Sequence, residues 1–90
     1  DWQVCAVVTD CDEDGNATLS LRNKFAAGDE IELVGPDSRP FTMTAPVMHD
    51  LEGFELHEPR TPQTVFKMKL PQPVPPMSFV RHAVSLSAKD

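Results

Sequence analysis

The sequence predicts an all-β fold, a small closed or partly open β-barrel. Apolar residues recur at every second position rather than at helical spacing, and turn-forming residues separate these runs at short intervals. A chain of 90 residues is long enough for one hydrophobic core but not for two. We therefore expect residues 1–90 to form a single domain of several short strands.

The first two predicted strands, 2–9 and 17–22, show the alternation most clearly. Successive side chains of a strand point to opposite faces, so a period of two places one set of residues on the core. The inward-facing residues are predicted to be Trp2, Val4, Ala6 and Val8, followed by Ala17, Leu19 and Leu21.

Five further strands are predicted at 30–34, 40–44, 54–57, 64–70 and 78–82. Charged residues alternate with apolar ones in two of them, as expected for strands that are solvated on one side. The alternating charges are Glu30, Glu32, Lys67 and Lys69. The inward-facing residues are predicted to be Ile31, Leu33, Phe41, Met43, Phe54, Leu56, Phe66, Met68 and Leu70.

Turn residues separate the strands at 12–16, 27–29, 35–38 and 50–53. The four prolines of segment 70–76 cannot donate to a sheet ladder, so this segment is predicted to be an extended crossing between the last two strands. A closed sheet has no exposed edge to invite aggregation, which favours a barrel over a sandwich.

The composition narrows the range of possible functions. The net charge of −6 disfavours nucleic-acid binding unless the basic residues cluster. Two cysteines are too few for a disulfide framework, which indicates a cytoplasmic location. No apolar run approaches the roughly 20 residues of a membrane helix, and the N-terminus is not a signal peptide, so we expect no membrane partner and a start within a longer chain.

Residues 21–36 carry a specific resemblance. An Arg-Asn-Lys-Phe segment at 22–25, which contains Asn23 and Phe25, is followed by Gly28, Asp29 and Glu30 and then by an alternating strand that ends at Gly35 and Pro36. This pattern resembles the C-terminal domain of peptidase family U32, the collagenase-like peptidases. The similarity continues through residues 41–43 and 48–53 to Arg81, and so covers nearly the whole chain.

The resemblance implies a barrel like that of translation factors such as elongation factor Tu, an analogy of fold alone. It also implies a non-catalytic C-terminal accessory module whose partner is the catalytic domain of the same chain. That absent domain carries the enzyme chemistry. In this family the chemistry is described as proteolysis, as hydroxylation of transfer or ribosomal RNA, or as part of ubiquinone synthesis. We expect no catalytic residue, metal or cofactor in this domain.

Other constellations have ordinary interpretations. Residues 10–15 match the opening of a calcium loop, but position twelve is Leu21 rather than a bidentate Glu, so an acidic hairpin turn is favoured. The three histidines and two cysteines have irregular spacing for zinc. No local motif joins a nucleophile to a base.

One basic group stands out. If Arg22, Lys24, Lys67 and Lys69 gather on one barrel face, they are the residues expected to contact RNA, and the acidic residues are left to segments 10–14 and 52–58. The competing interpretation is that Arg22 and Lys24 form surface ion pairs with Asp29, Glu30 or Glu32.

Three hypotheses for function follow. The first is a module that positions substrate, structured RNA, for the catalytic domain. The second is a module that packs against protein, either the catalytic domain of the same chain or another subunit. It would use apolar residues such as Val34, Val65 and Val80, which this hypothesis takes to be exposed. The third is the substrate-binding part of a peptidase that degrades collagen-like substrates.

Overall fold

A computed structural model describes residues 2–83 of the chain, except the side chain of Ala83. These residues form eight strands, connected by turns and loops. The strands are β1 (Trp2–Cys11), β2 (Asn16–Leu21), β3 (Glu30–Val34), β4 (Phe41–Thr44), β5 (Met48–His49), β6 (Glu55–Leu56), β7 (Val65–Lys69) and β8 (Phe79–Ala83). Within residues 2–83, no helix is long and apolar enough to cross a membrane. The predicted domain of residues 1–90 extends beyond the described residues.

All eight strands belong to one antiparallel sheet in the order β4-β3-β8-β1-β2-β7-β5-β6. In a flat sheet, β4 and β5 would lie about 29 Å apart, because strands are spaced by about 4.8 Å. Only residues 45–47 connect them, and this connection reaches at most about 15 Å. The sheet must therefore curl round, which confirms the predicted all-β, partly open barrel.

The loop between β2 and β3 bridges the two ends of the curled sheet. Ala27 N–H donates to the carbonyl of His57, just after β6, at 2.7 Å. Gly28 N–H donates to the carbonyl of Ala45, just after β4, at 2.8 Å. Because β4 and β6 are the end strands of the sheet, these bonds satisfy backbone groups where the barrel is open.

The inner face of the sheet is apolar, as the alternation predicts. The predicted inward residues of β2, β3 and β7 are buried, and Phe41 and Met43 of β4 are half-buried against the core. Phe25 reaches the core from the bridging loop, and its ring centroid lies 6.0 Å from that of Phe66. The buried apolar residues include Ala17, Leu19, Leu21, Ile31, Leu33, Phe66, Met68, Leu70 and Val80.

The prediction for β1 was wrong at its start. Trp2 and Val4 are 54% and 39% exposed, whereas Cys5 and Ala6 are both buried. The pairing of β1 with β8 shifts register between Val4 and Ala6. A bulge of this kind places two consecutive residues on one side, so the alternation before it points the other way. Trp2 and Val4 therefore lie on the outer face.

Two features around residue 50 differ from the predictions. Phe54 was expected to face inward but is 67% exposed. It precedes β6, and its N–H donates to Asp50 Oδ1 in the turn, beyond the paired part of the sheet. Strand β5 was not predicted, because two residues are too few to show periodicity, although Met48 is fully buried.

The predicted turns and the proline segment are present. In the first hairpin Gly15 has φ +88°, and a Cβ there would collide with the carbonyl oxygen of Leu70. The proline segment carries the chain from β7 to β8, three positions apart in the sheet order. It ends with Met77 N–H donating to Val8 at 3.0 Å, which returns the chain to β1.

Candidate nucleic-acid interface

Strand register places two of the predicted RNA-contacting residues on the same outer surface. Lys67 of β7 lies opposite Thr18 of β2 on one side and His49 of β5 on the other. Lys69 lies opposite Asn16, two residues further along β7. Directly opposed residues in antiparallel strands point to the same face. Both lysines are exposed, about 7 Å apart along the strand.

A concave groove of about 200 Å³ lies along these residues. Lys69 Nζ donates to the carbonyl of Asp14 at 2.6 Å, which holds this ammonium group at one end of the groove. Ammonium, imidazole and amide groups can all donate hydrogen bonds to an anion. The lining residues are Asn16, Val47, His49, Lys67, Met68 and Lys69.

Arg22 extends the same surface along β2. Its Nη1 donates to Ser20 Oγ at 2.9 Å and to the Leu21 carbonyl at 3.3 Å, so the guanidinium group folds back beside the strand. Ser20 lies opposite Val65, two residues before Lys67 on β7. We call Arg22, Lys67, Lys69 and His49 the basic strip.

The fourth predicted contact, Lys24, is not placed with the others. It is exposed in the bridging loop, and no hydrogen bond or ion pair within residues 2–83 ties its side chain to the basic strip. Lys24 lies outside the strands, so strand register does not align it with Lys67 or Lys69. Lys24 therefore remains a predicted RNA contact.

The competing ion-pair interpretation does not hold in the described part of the chain. The ion pairs there are His57 with Glu55, Arg60 with Glu58, and Arg81 with Glu32. None includes Arg22 or Lys24. Asp29 instead accepts a hydrogen bond from Ala26 N–H at 2.9 Å. Among residues 2–83, Arg22, Lys67 and Lys69 thus form no ion pair with an acidic side chain. Beside the hydrogen bonds from Asn16, the nearby charge of Lys69 nevertheless helps to lower the pKa of the Asp12 carboxyl.

Acidic residues border the basic strip on both sides. Asp10 lies opposite Thr18 on β1, and Glu55 lies opposite His49 on β6. The basic strip is therefore narrow and does not extend over a whole side of the barrel. A single phosphate backbone fits such a strip better than a broad nucleic-acid surface, because acid on either side repels additional phosphates.

His49 was not among the predicted site residues. Its place in the groove depends on β5, which is too short to be predicted from alternation, and on pairing with β7. His49 and Lys67 are 18 residues apart in sequence, so no local motif links them. Only the cross-strand register brings the imidazole beside the lysine.

The residues of the family-like segment form the loop that supports this surface. Asn23 Nδ2 donates to the Val4 carbonyl at 2.8 Å, and Asn23 N–H donates to the Cys5 carbonyl at 3.1 Å. Asp29 Oδ2 accepts from Ala26 N–H, and Gly28 between them has φ +96°. These bonds fix the exit of β2, where Arg22 begins the loop.

Gly35 and Pro36 serve the turn after β3. A Cβ on Gly35 would lie 2.8 Å from Ser38 Oγ and from Ser78 Oγ. Ser78 is fully buried, and its Oγ donates to the Pro75 carbonyl at 2.7 Å. The absence of a side chain at Gly35 therefore allows the turn to pack against the segment that leads into β8.

The acidic hairpin is a self-contained turn. Asp12 Oδ1 accepts from the N–H groups of Asp14 and Asn16, both at 2.9 Å, and Oδ2 accepts from Asn16 Nδ2 at 3.0 Å. The hydrogen bond from the Asn16 side chain, with the backbone bonds, lowers the pKa of Asp12. Residues 2–83 contain no group of three or more acidic, histidine or cysteine side chains arranged for a metal ion.

The two cysteines are free thiols in different surroundings. Burial, with a smaller contribution from the charge of Asp29, raises the pKa of Cys5 to about 11. The Cys5 thiol is therefore protonated at neutral pH, and a protonated thiol is a poor nucleophile. Cys11 is half-buried and its Sγ donates to the Asp12 carbonyl at 3.5 Å.

Comparison with known proteins gives a consistent result. The profile of the peptidase family U32 C-terminal domain matches residues 1–81. A Bacillus subtilis (strain 168) relative named tRNA hydroxylation protein P1 is 38% identical over 81 residues, which are 89% of this chain and 19% of the relative. The chain thus spans about a fifth of that protein.

Two solved structures also resemble the chain. Both are of the isolated C-terminal domain of a Geobacillus thermoleovorans protein described as a U32 peptidase. One, a selenomethionine variant, has a TM-score of 0.83 at 34% identity and covers 89% of this chain and 99% of that one. The other has a TM-score of 0.82 at 32% identity and covers 88% and 91%.

Proposed function

The chain belongs to the C-terminal domain family of the U32 peptidases, and from this premise we propose that it is an accessory module that holds transfer RNA for the catalytic part of a longer enzyme. In this proposal the domain does no chemistry of its own. It binds RNA phosphates along the basic strip, and the catalytic part acts on the bound RNA.

The observation that carries the proposal is the basic strip with its groove. Lys67, Lys69 and Arg22 lie on one outer surface and form no ion pair among the described residues, and His49 lines the groove beside them. Phosphate contacts by lysine and arginine supply most of the sequence-independent affinity for nucleic acids. The name of the Bacillus subtilis relative supports RNA as the ligand.

The same proposal places the protein in the bacterial cytoplasm, where transfer RNA is modified. The two free thiols fit a reducing compartment, because disulfides are uncommon there. The parent's activity, whether RNA hydroxylation or proteolysis, belongs to the part of the longer protein that this chain does not include.

The test is a titration of the isolated domain with bulk transfer RNA, followed by fluorescence anisotropy at salt concentrations between about 50 and 200 mM. Over this range the affinity of a protein that contacts about three phosphates changes measurably. Relatives of this domain crystallised alone, which justifies the use of the isolated domain. We expect log Kd to change with log salt with a slope of about 2 to 3, because each phosphate contact releases nearly one counterion.

The variant K67Q/K69Q should weaken binding and reduce the slope by about 2. The matched control is R39Q, which removes an exposed cation from the loop between β3 and β4, two strands that contain no residue of the basic strip. It should leave both quantities near their original values. Equal losses in the two variants would indicate diffuse attraction, and no binding at either salt concentration would reject RNA binding by the domain.

A further inference from the structure

A second groove lies on the outer surface of the sheet, across β1, β8, β3 and β4. Val4, Arg81, Glu32 and Thr42 form one row of directly opposed residues across these four strands. Trp2 lies two residues from Val4 on β1 and therefore faces the same side. This region was not singled out by the sequence and is separate from the basic strip in the strand order.

Arg81 fixes the side chains in this region. Its Nε and Nη2 donate to Glu32 Oε1 at 2.7 and 2.6 Å, and its guanidinium lies 4.2 Å from the centroid of the Trp2 ring. Two charge-assisted hydrogen bonds to one carboxylate oxygen hold the guanidinium group, and its cation–π contact in turn holds the indole ring in one orientation. Trp2 is nevertheless 54% exposed, so a fixed aromatic surface remains open to a partner.

The groove beside this ring has a volume of about 340 Å³ and is lined by Trp2, Glu30, Ile31, Glu32 and Thr42. Arg81 neutralises Glu32, whereas Glu30 is exposed and has no ion pair within residues 2–83. The groove thus combines an aromatic wall with one uncompensated carboxylate. A lysine or arginine side chain matches it, because its apolar stem packs on the ring while its charge reaches the acid.

We propose that this groove docks a basic side chain from the polypeptide that precedes this domain in the full-length enzyme. The family relative is about five times as long as this chain, and the domain is the C-terminal one. Preceding polypeptide therefore arrives at β1, next to Trp2. Tethering at that point gives a neighbouring segment a high effective concentration at the groove.

The charge of the groove distinguishes this surface from the basic strip. Glu30 repels phosphate, and the one cation of this region, Arg81, is already paired with Glu32, so RNA does not fit here. In this proposal the protein-packing surface is the groove beside Trp2, and it includes none of the three valines that the sequence suggested. Val80 is fully buried, Val34 is half-buried, and only Val65 of that set is exposed.

The test compares hydrogen exchange in the full-length enzyme and in the isolated domain. Amides of residues 2–4, 30–33 and 41–44 should exchange several-fold more slowly in the full-length enzyme, because docking covers the groove. The charge reversal E30K should return this exchange towards that of the isolated domain. The matched control E52K reverses an exposed carboxylate in the β5–β6 turn and should retain the protection.

Equal exchange in the full-length enzyme and the isolated domain would overturn the proposal. Protection that survives E30K would show that the occupant is not basic and would overturn it as well. Protection that appears in the isolated domain as its concentration rises would assign the groove to a second copy instead. The K67Q/K69Q variant should not alter the hydrogen exchange of these amides. The docking proposal and the RNA proposal can therefore be tested independently.

Discussion

Individual side chains in this domain divide between packing and recognition according to the face they occupy. On β7, Phe66 and Met68 are buried, whereas Lys67 between them is exposed beside His49. The same division applies to Cys5, which the β1 bulge turns inward. Whether one of these residues packs in the core or is available for binding therefore depends on the face of the sheet to which it points.

The buried thiol of Cys5 gives a prediction for alkaline pH. Burial raises its pKa from 9.0 to about 11, so between these values the unfolded chain releases a proton that the folded chain keeps. Stability should therefore be fully retained below about pH 9 and decrease as the pH approaches 11. Urea unfolding of the native chain and of C5A should show the native chain losing stability relative to the variant over this range.

The control for this prediction is C11A, since Cys11 is half-buried and lies on the same strand. The difference in unfolding free energy between C11A and the native chain should not follow the pattern of C5A. A pH dependence that is the same in all three proteins would refute the assignment to Cys5.

The strand pairs of this fold are stabilised by hydrogen bonds in their turns as well as by those between the strands. The β1–β2 hairpin is the clearest case, because the Asp12 carboxylate accepts three hydrogen bonds from Asp14 and Asn16. The Asp50 turn repeats the device, with Oδ1 accepting from Glu52 and Phe54 N–H groups. Sequence patterns predicted both turns, because aspartate favours local bonds to the backbone two residues later.

Acid should therefore weaken the first hairpin. Hydrogen bonds from Asn16 lower the pKa of Asp12, so its contribution to stability is present above about pH 4 and is lost as the pH falls through the lowered pKa. We expect D12A to be less stable than the native chain at pH 7 and the gap to narrow in acid. Urea unfolding between pH 7 and 2 measures this, with D37A, an exposed turn residue, as the control.

A gap between D12A and the native chain that stays constant down to pH 2 would contradict this account. It would show that the charge of the Asp12 carboxylate contributes nothing to the free energy of unfolding.

At the scale of the whole molecule, the bridging loop between β2 and β3 makes the barrel. It places Phe25 against Phe66, supplies backbone bonds to residues that follow β4 and β6, and ties Asn23 to β1. Arg22 begins the same loop and belongs to the basic strip. The family-like segment is thus both a structural closure and a support for the proposed RNA surface.

Phe25 tests the role of this loop. F25A removes a buried ring from the end of the core and should lower the free energy of unfolding by about 3 to 5 kcal/mol. F54A removes a ring that is 67% exposed and should change stability by no more than about 0.5 kcal/mol. Chemical denaturation of both variants measures the difference. Similar losses in the two would mean that the loop does not close the core.

The sequence by itself determined the elements that depend on neighbours in the chain. Period-two alternation located seven of the eight strands, turn residues located the reversals, and the segment at 21–36 identified the family. These patterns are local, because side-chain direction in a strand and turn chemistry are both set within a few residues.

Only the tertiary structure decided how the elements meet. The strand order, the β1 bulge that exposes Trp2, and the pairing of His49 with Lys67 all depend on residues far apart in sequence. Such contacts are selected by packing of the whole core rather than by local preference, since a one-residue shift in register reverses every side chain. For that reason the sequence could name Arg22, Lys67 and Lys69 but not His49 beside them, and the groove beside Trp2 appeared only in the tertiary structure.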